Sequence, residues 1–306
     1  MKNEIIVKNP ESALIAGCGY VGGRVAAEWR SSGMRVFAIT RSELKAEELK
    51  TAGITPVLLD LAQPTPIPQL PDVDVVLWSV GFERSSGASR QAIWIDGLQR
   101  LLNALPPRGE PRRILYTSST SVYGEGHGQD VDENTLPDPT SEGGLACLAA
   151  ERLLQKFAAE NGAFVSILRL AGIYGPDRLL RRITDLRSNA PITSPPDEWL
   201  NLIHVDDAVT AIDFISRLAS APPLINVAAS ESVTRRQYYT TLAKFADAPP
   251  PTFAAAAATA SQTSHRGGNR RVVSTVRKLL QIPFRYDSIA DGLRVALIRT
   301  ATDAQP

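Results

Sequence analysis

Three glycines at fixed spacing are the first residues whose pattern could do chemistry. Gly17, Gly19 and Gly22 fit G-x-G-x-x-G, directly after an apolar strand at Ala13–Ala16 and directly before a helix at Gly22–Ser31. In that context the first glycine permits a tight turn, the second leaves room for a diphosphate, and the third lets the helix pack closely on the strand. Free N–H groups at the helix start add partial positive charge. We predict that this turn, with Tyr20 and Val21 inside it, binds the pyrophosphate of NAD(P).

The end of the next predicted strand, Arg35–Thr40, bears on which form of the dinucleotide binds. An acidic residue about 20 positions after the glycines would bind the ribose 2′-hydroxyl of NAD. The sequence instead has Thr40 followed by Arg41. An arginine can pair with the 2′-phosphate of NADP, and a threonine leaves space for it. These residues favour NADP as cofactor, while the nearby Glu43 keeps NAD open.

Composition excludes several other classes of protein. The 306 residues are 43% hydrophobic and 21% charged, with a net charge of +1, which is typical of a globular chain without a nucleic-acid or anionic-membrane surface. Two cysteines, Cys18 and Cys147, are too few for a disulfide framework or a zinc cluster, so we expect no metal. No stretch has the length of a signal peptide or a membrane span. We therefore expect a cytoplasmic protein, a monomer or a homodimer, with a small-molecule substrate.

Alternating strand and helix patterns must position the glycine turn. They predict an α/β fold with a Rossmann-type, doubly wound parallel sheet and a small discontinuous C-terminal substrate lobe. Residues 1–176 are predicted to form the NAD(P)-binding domain, completed by about 203–228. Residues 177–202 and 229–306 are predicted to form the smaller lobe. The predicted elements are strands at Ala13–Ala16, Arg35–Thr40, Thr55–Leu59, Val73–Val80, Arg113–Thr117, Phe164–Leu170 and Leu224–Ala228, and helices at Gly22–Ser31, Glu43–Thr51, Ile93–Leu105, Leu145–Glu160 and Ala208–Leu218. The alanine-rich run Phe253–Thr259 is interpreted as a helix or a loop.

A series of further motifs resembles the extended and atypical short-chain dehydrogenase/reductase superfamily, the NAD(P)-dependent epimerase/dehydratase group. The resemblance covers almost the whole chain, and its strength lies in the order of the motifs. They are Leu59-Asp60-Leu61, Leu77-Trp78-Ser79-Val80-Gly81, Tyr116 to Gly124, Asp132-Glu133-Asn134 with Pro137 and Pro139, Leu168 to Pro176, Ile203 to Ala208, and Asn269-Arg270-Arg271-Val272 through Gly292-Leu293.

The resemblance implies positions for the rest of the dinucleotide. Asp60 and Leu61 resemble the Asp-Leu pair whose carboxylate meets the adenine amino group. Ser79 and Val80 end a strand that faces the cofactor, Ser118 belongs to the motif at the end of a later strand, and Leu170 and Ala171 belong to the strand and turn that pass the nicotinamide. Ser119 corresponds to the family's third catalytic hydroxyl.

The sequence departs from this family at its usual acid/base pair, a tyrosine with a lysine four residues later. Counting back from Glu151, which resembles the family's glutamate, puts Cys147 at the lysine position and Gly143 at the tyrosine position. Glycine has no proton to give, and a thiol supplies no permanent positive charge. The usual dyad is therefore absent.

Two functions remain open. One is an NADP-dependent oxidoreductase or epimerase-like enzyme of atypical mechanism, in which Ser119 polarises a carbonyl and Tyr123 or Tyr174 relays the proton. Arg178, Arg181 and Arg182 would suit an anionic substrate, although a solvated charged helix face explains them as well. The other is a non-catalytic NADP(H)-binding redox or metabolite sensor that kept the glycine turn and lost the dyad.

Overall fold

The computed structural model describes residues 9–83, 87–178, 180–254 and 268–303. Its helices and strands, in chain order, are β1 (Ser12–Ala16), α1 (Gly22–Ser31), β2 (Arg35–Thr40), α2 (Glu43–Thr51), β3 (Thr55–Leu58), β4 (Val75–Trp78), α3 (Gly97–Ala104), β5 (Arg113–Ser119), β6 (Asp130–Val131), α4 (Glu142–Asn161), β7 (Phe164–Leu170), β8 (Gly172–Tyr174), α5 (Leu180–Arg187), β9 (Trp199–Leu200), β10 (Leu202–His204), α6 (Val205–Arg217), β11 (Leu224–Val227), β12 (Val233–Thr234), α7 (Arg235–Phe245), β13 (Arg271–Val272), α8 (Thr275–Leu280) and α9 (Ile289–Asp303). None of the helices in these ranges is long and apolar enough to cross a membrane.

A seven-stranded sheet with the order β11-β7-β5-β4-β1-β2-β3 forms the centre of the fold. β1 pairs in parallel with β2 on one side and with β4 on the other, so the strand order reverses beside β1. In open α/β sheets such a reversal opens a crevice at the carboxyl ends of the strands, and ligands bind there. The topology confirms the predicted Rossmann-type parallel sheet and places the glycine turn at this crevice.

The apolar strand sequences explain why this sheet is covered on both faces. All residues of β1 and β4 are buried, as expected for central parallel strands flanked by helices. Trp78 packs in one core cluster with Leu98 and Leu101 of α3 and with Leu154 of α4. These contacts fix the helices that follow β4 and β5 against the sheet.

The helix after β4 begins in a form that the sequence analysis did not predict. Its first part, Gln91–Asp96, is a π-helix, and α3 follows it directly. The apolar spacing predicts a helix over Ile93–Leu105 because it shows a helical face, but it does not separate i→i+5 from i→i+4 hydrogen bonding. π-helical turns are rare and are found frequently at functional sites.

Other elements differ mainly in their ends. α4 starts at Glu142, three residues before the predicted start, and includes two glycines at 143 and 144 that the propensity argument disfavours in a helix. The segment 177–200, whose periodicity is weak, contains α5. Of the alanine-rich run, residues 255–259 lie outside the described residues, while Phe253 forms an isolated bridge with Ile192.

Contacts between Cα atoms divide the chain into two units, which we describe separately. Unit 1 comprises the described residues of Met1–Ser119, Glu142–Arg169 and Val209–Ile225, and unit 2 those of Thr120–Ser141, Leu170–Ala208 and Asn226–Pro306. Both units are discontinuous in sequence. The division assigns 120–141 and 170–176 to unit 2, whereas the sequence analysis placed them in the dinucleotide-binding domain. Unit 2 has a core of its own around Leu242 and Leu293.

Candidate functional site

The glycine turn has the geometry that close approach of a diphosphate requires. Gly17 has φ +90°, and a Cβ on it would lie 2.6 Å from the Cα of Val80. A Cβ on Gly22 would overlap the carbonyl oxygen of Gly17. A Cβ on Gly19, in contrast, would meet no atom of the described residues within 4 Å. Two glycines are therefore required by the fold itself, and the third borders open space.

The N-terminus of α1 gives this open space a positive potential. The helix starts at Gly22, has no acidic residue in its first turn and carries Val21 as its N-cap without a side-chain cap. Its first N–H groups therefore have no carboxylate of α1 to satisfy them, and the helix dipole favours an anion there. Tyr20 is held beside the turn, because the Arg24 guanidinium lies 4.1 Å from its ring centroid and donates to its carbonyl oxygen at 2.8 Å.

The end of β4 lies directly against the turn. The Ser79 N–H donates to the Ala16 carbonyl at 2.8 Å, and Val80 contacts Gly17 as described above. These two residues continue β4 past the crevice, where the family resemblance places them next to the cofactor. Their binding role stays a prediction.

The two residues predicted to select the cofactor, Thr40 and Arg41, each have a partner in the structure. The Arg41 Nη2 is 2.7 Å from the Glu83 carboxylate, and both side chains are about half or more exposed. Thr40 accepts a hydrogen bond from the N–H of Ser42, which caps α2. Glu83 lies beyond the end of β4, far from Arg41 in sequence, so no local pattern predicts this pair.

Asp60 and Leu61 occupy a short loop after β3. One carboxylate oxygen of Asp60 accepts the N–H of Ala62 at 2.9 Å, which holds the loop in place. The Leu61 carbonyl accepts a hydrogen bond from Arg100. Both residues lie in unit 1 with the glycine turn, and their contact with the adenine end stays a prediction.

A buried ion pair fixes the register of α4. Glu151 and Arg169 have side chains that are 1% and 4% exposed, and Arg169 donates to the two Glu151 oxygens at 2.7 and 3.0 Å. The Ser118 hydroxyl donates to the same carboxylate at 2.6 Å. The Ser118 hydroxyl proton is therefore donated to Glu151, and a contact of Ser118 with the dinucleotide stays a prediction. Ser118 of β5 and Arg169 of β7 thus hold Glu151 in place. Cys147 and Gly143 lie one and two helical turns before Glu151 on α4.

A neutral thiol stands where the family resemblance predicts the lysine position. Cys147 is buried and shares a hydrogen bond with the Tyr116 hydroxyl, and burial raises the pKa of the Cys147 thiol to about 11. Burial, with the neighbouring Cys147, also raises the pKa of Tyr116 well above its usual value. At neutral pH both groups are protonated, so this position supplies no cation.

Gly143 has a cation beside it that sequence reasoning missed. A Cβ on Gly143 would lie 3.9 Å from Nε of Arg90 and near no other described atom outside its chain neighbours and helix. Arg90 directly precedes the π-helix, more than 50 positions away in sequence. Only the packing of the π-helix against α4 could reveal this proximity.

The three predicted catalytic hydroxyls have different surroundings. Ser119 is partly exposed at the end of β5 in unit 1. Tyr123 is buried in unit 2, with its hydroxyl 2.8 Å from the Asp132 carbonyl and 2.9 Å from the Asn226 amide oxygen. Its hydroxyl thus has structural partners already. The sequence pattern could not show these partners, since Asn226 follows 103 residues later.

Tyr174 is packed in the core of unit 2. Its ring meets that of His204 edge-on at 5.2 Å, and a Cβ on Gly292 would overlap its hydroxyl oxygen. Burial raises the pKa of Tyr174, which opposes proton release. Leu170 and Ala171, at the end of β7, are also buried, and the Ala171 N–H donates to the Val227 carbonyl at 3.0 Å. Catalysis by Tyr123 or Tyr174 stays a prediction that these surroundings disfavour.

Comparisons with known proteins agree with this architecture. The model of the NAD dependent epimerase/dehydratase family matches residues 13–228. Protein YeeZ of Escherichia coli K12 is 28% identical over 236 residues, which cover 75% of this chain and 82% of that protein. A dTDP-L-rhamnose 4-epimerase of Burkholderia thailandensis is 24% identical over 230 residues, 61% of this chain and 62% of that protein.

Solved structures show the same fold at low sequence identity. MoeE5 in complex with UDP-glucose and NAD has a TM-score of 0.76 and 24% identity, covering 96% of this chain and all of that one. The UDP-glucuronic acid 4-epimerase of Bacillus cereus, in complex with UDP-glucuronic acid and NAD, has a TM-score of 0.77 and 20% identity, covering 95% and 99%. Because the family model spans well over half of the sequence and the fold agrees, the chain belongs to the NAD-dependent epimerase/dehydratase family.

Proposed function

We propose that the chain is an NAD(P)-dependent oxidoreductase or epimerase-like enzyme that acts on a nucleotide sugar without the usual tyrosine–lysine dyad. The observation that carries this proposal is the glycine turn, in which Gly17 and Gly22 are sterically required while Gly19 borders open space at a helix N-terminus. A fold alone needs no such opening. The nucleotide-sugar class is taken from MoeE5 and the Bacillus cereus epimerase, which hold UDP-sugars together with NAD.

The residues of the turn fit a dinucleotide, which when bound would supply a hydride acceptor or donor at its nicotinamide. Backbone N–H groups of the turn and of α1 would bind the pyrophosphate. Ser79 and Val80 at the end of β4 would lie along the dinucleotide. Ser119 would donate a hydrogen bond to a substrate oxygen and so polarise it.

The thiol at position 147 decides how proton transfer can occur. In the usual mechanism a lysine cation lowers the pKa of a tyrosine so that it exchanges a proton near neutral pH. Cys147 has a pKa of about 11 and is neutral at pH 7, so it cannot act in this way. Substrate orientation beside the nicotinamide would then carry most of the catalysis, with the proton exchanged through Ser119 and water.

For the cofactor we propose a preference for NADP, with Arg41 as the partner of the 2′-phosphate. The Arg41–Glu83 pair is exposed, and pairs of this kind are worth only about 0–1 kcal/mol. A 2′-phosphate with more negative charge than a carboxylate can therefore take the place of Glu83. If Glu83 keeps its position, its carboxylate would suit NAD instead of NADP. Substitution of Glu83 therefore tests the cofactor preference.

The second candidate is a non-catalytic NADP(H) sensor, and the protonated Cys147–Tyr116 pair favours it. At the positions where the family has its dyad, no group titrates near pH 7. This argues against turnover, but it does not argue against dinucleotide binding. In a sensor, the bound dinucleotide would shift a conformational equilibrium that a partner reads.

Turnover separates the two candidates. We would follow NADH and NADPH absorbance, and isomer formation by NMR, with UDP-glucose, UDP-glucuronic acid and a panel of aldehydes and ketones. The enzyme proposal expects turnover above background that falls strongly in Ser119→Ala and persists in Ser31→Ala, an exposed serine at the far end of α1. Dinucleotide binding with no turnover of any compound would favour the sensor.

A further inference from the structure

An arginine on an aromatic platform lies beside the position where the family's tyrosine is missing. We call Phe82, Arg90 and Trp94 the Arg90 cluster. The Arg90 guanidinium carbon lies 3.9 Å from the centroid of the Phe82 ring and 5.9 Å from that of Trp94, and the two rings meet edge-on at 6.0 Å. All three residues follow β4, at the carboxyl edge of the sheet.

The cluster holds its cation in a fixed place. The Arg90 side chain is only 19% exposed, and cation–π contacts gain strength when the guanidinium is shielded from water. Arg90 directly precedes the π-helix Gln91–Asp96. That π-helix packs against α4, and Arg90 lies next to Gly143 and Glu142 of that helix.

One side of this guanidinium already binds a carboxylate. Arg90 Nη1 lies 2.7 Å from Glu142, whose side chain is 79% exposed. An ion pair with one partner in solvent is weak and exchanges readily. The Arg90 cation therefore accepts a carboxylate as its partner, and a ligand carboxylate can easily displace that of Glu142.

The other side of the guanidinium faces a residue without a side chain. Arg90 Nε is buried and has no hydrogen-bond partner among the described residues, and buried donors are normally satisfied. It lies 3.9 Å from where a Cβ on Gly143 would be, and that position meets no other described atom outside its own chain segment and helix. Gly143 thus leaves Nε without a partner, and the exchangeable partner of this cation is Glu142.

Of the arginines named by the sequence analysis, the two whose side chains the structure describes are exposed. Arg182 is 54% exposed and lies 3.6 Å from Asp185 on its own helix, and Arg178 is exposed. The side chain of Arg181 lies outside the described part of the chain. Among Arg90, Arg178 and Arg182, Arg90 alone combines a largely shielded side chain, an aromatic platform and a replaceable carboxylate partner.

We propose that Arg90 is the specificity-determining residue for a carboxylate-bearing nucleotide sugar, a uronic-acid substrate whose carboxylate displaces Glu142. This inference rests on the proposed function, because it assumes a nucleotide-sugar substrate at the carboxyl edge of the sheet. The planar guanidinium fork matches a carboxylate, and its permanent charge sits where the dyad's charge is missing. It binds the substrate and does not exchange a proton.

Calorimetry on the NAD⁺-saturated protein at pH 7 tests this role with UDP-glucuronic acid and UDP-glucose, which differ by one carboxylate. We expect wild type to bind UDP-glucuronic acid more tightly than UDP-glucose by about tenfold or more, as for a hydrogen-bonded charge. Arg90→Met should abolish that difference and leave UDP-glucose affinity unchanged, while Arg90→Lys keeps part of it. Arg152→Met removes an exposed charge from α4, the helix that carries Glu142 and Gly143, and should behave as wild type.

Glu142→Gln provides a second measurement that does not depend on the folding of Arg90→Met. Removing the competing carboxylate should tighten the binding of UDP-glucuronic acid several-fold and leave the affinity for UDP-glucose unchanged. Equal affinity of wild type for the two ligands, or a difference that survives in Arg90→Met, would overturn the role of Arg90 while the proposed function stands. If NAD⁺ binds but neither nucleotide sugar does, the substrate class is wrong and this inference fails with it.

Discussion

The buried Glu151–Arg169 pair should be far more important for stability than any exposed pair of the same helix. Arg169→Met removes the cation and leaves the Glu151 carboxylate, 1% exposed, with the Ser118 hydroxyl as its remaining hydrogen-bond donor among the described residues. Removal of one partner from a buried pair costs about 3–5 kcal/mol, because the remaining charge is buried without compensation. We expect a loss of unfolding free energy in this range, with the end of β5 and the adjoining turns of α4 disturbed first.

Denaturation in urea, followed by tryptophan fluorescence, measures this loss. Trp29 and Trp78 are fully buried in unit 1 and report on its unfolding. The matched control is Lys156→Met on α4, since Lys156 is 75% exposed and 3.8 Å from Glu160, and it should cost less than about 0.5 kcal/mol.

A double variant separates the charge from the packing. Glu151→Met with Arg169→Met removes both buried charges and should recover most of the stability that Arg169→Met loses. A loss below about 1 kcal/mol in Arg169→Met would refute the reasoning. So would a double variant that is no more stable than the single one.

Three further predictions concern the cofactor and the altered dyad. Arg41→Ala should raise the Kd for NADPH about tenfold while changing that for NADH little, and Glu83→Gln should tighten NADPH; equal effects on both dinucleotides in calorimetry would contradict the role of Arg41. Burial raises the pKa of Cys147 from its ordinary 9.0 to about 11, so its contribution to stability is complete below pH 9 and is lost as the pH rises to 11. Denaturation at several pH values should therefore show a smaller alkaline loss in Cys147→Ala than in wild type, and equal losses would speak against a buried neutral thiol. Gly143→Tyr combined with Cys147→Lys should increase turnover of UDP-glucose over either single variant, and no gain in the NMR assay would mean that the backbone of α4 departs from the family's geometry.

The sequence predicted the parts of the fold that local pattern controls. α1, β2, α2 and β7 begin and end at the predicted residues, because each is an uninterrupted periodic run bounded by glycine, a capping residue or a charged turn. The G-x-G-x-x-G spacing likewise predicts a turn whose first and third glycines are sterically required. Local spacing carries enough information for both.

What the sequence could not predict depends on contacts between distant segments. The π-helix has the same apolar spacing as an α-helix, and the pairs Arg41–Glu83 and Arg90–Glu142 join residues more than 40 positions apart. The surroundings of Tyr123 and Tyr174 are of the same kind. Both tyrosines match a family motif, yet burial and partners on later segments decide what their hydroxyls can do.

The most direct test of the account is calorimetry with NAD⁺, NADH, NADP⁺ and NADPH on wild type and two glycine variants. Gly19→Val places a side chain in the open space of the turn. Gly109→Val adds the same side chain at an exposed loop glycine, where a Cβ would likewise meet no atom of the described residues within 4 Å. The account predicts that wild type and Gly109→Val bind at least one dinucleotide and that Gly19→Val, folded by circular dichroism, binds none. Unchanged affinity in Gly19→Val, or no heat from any dinucleotide with wild type, would contradict it.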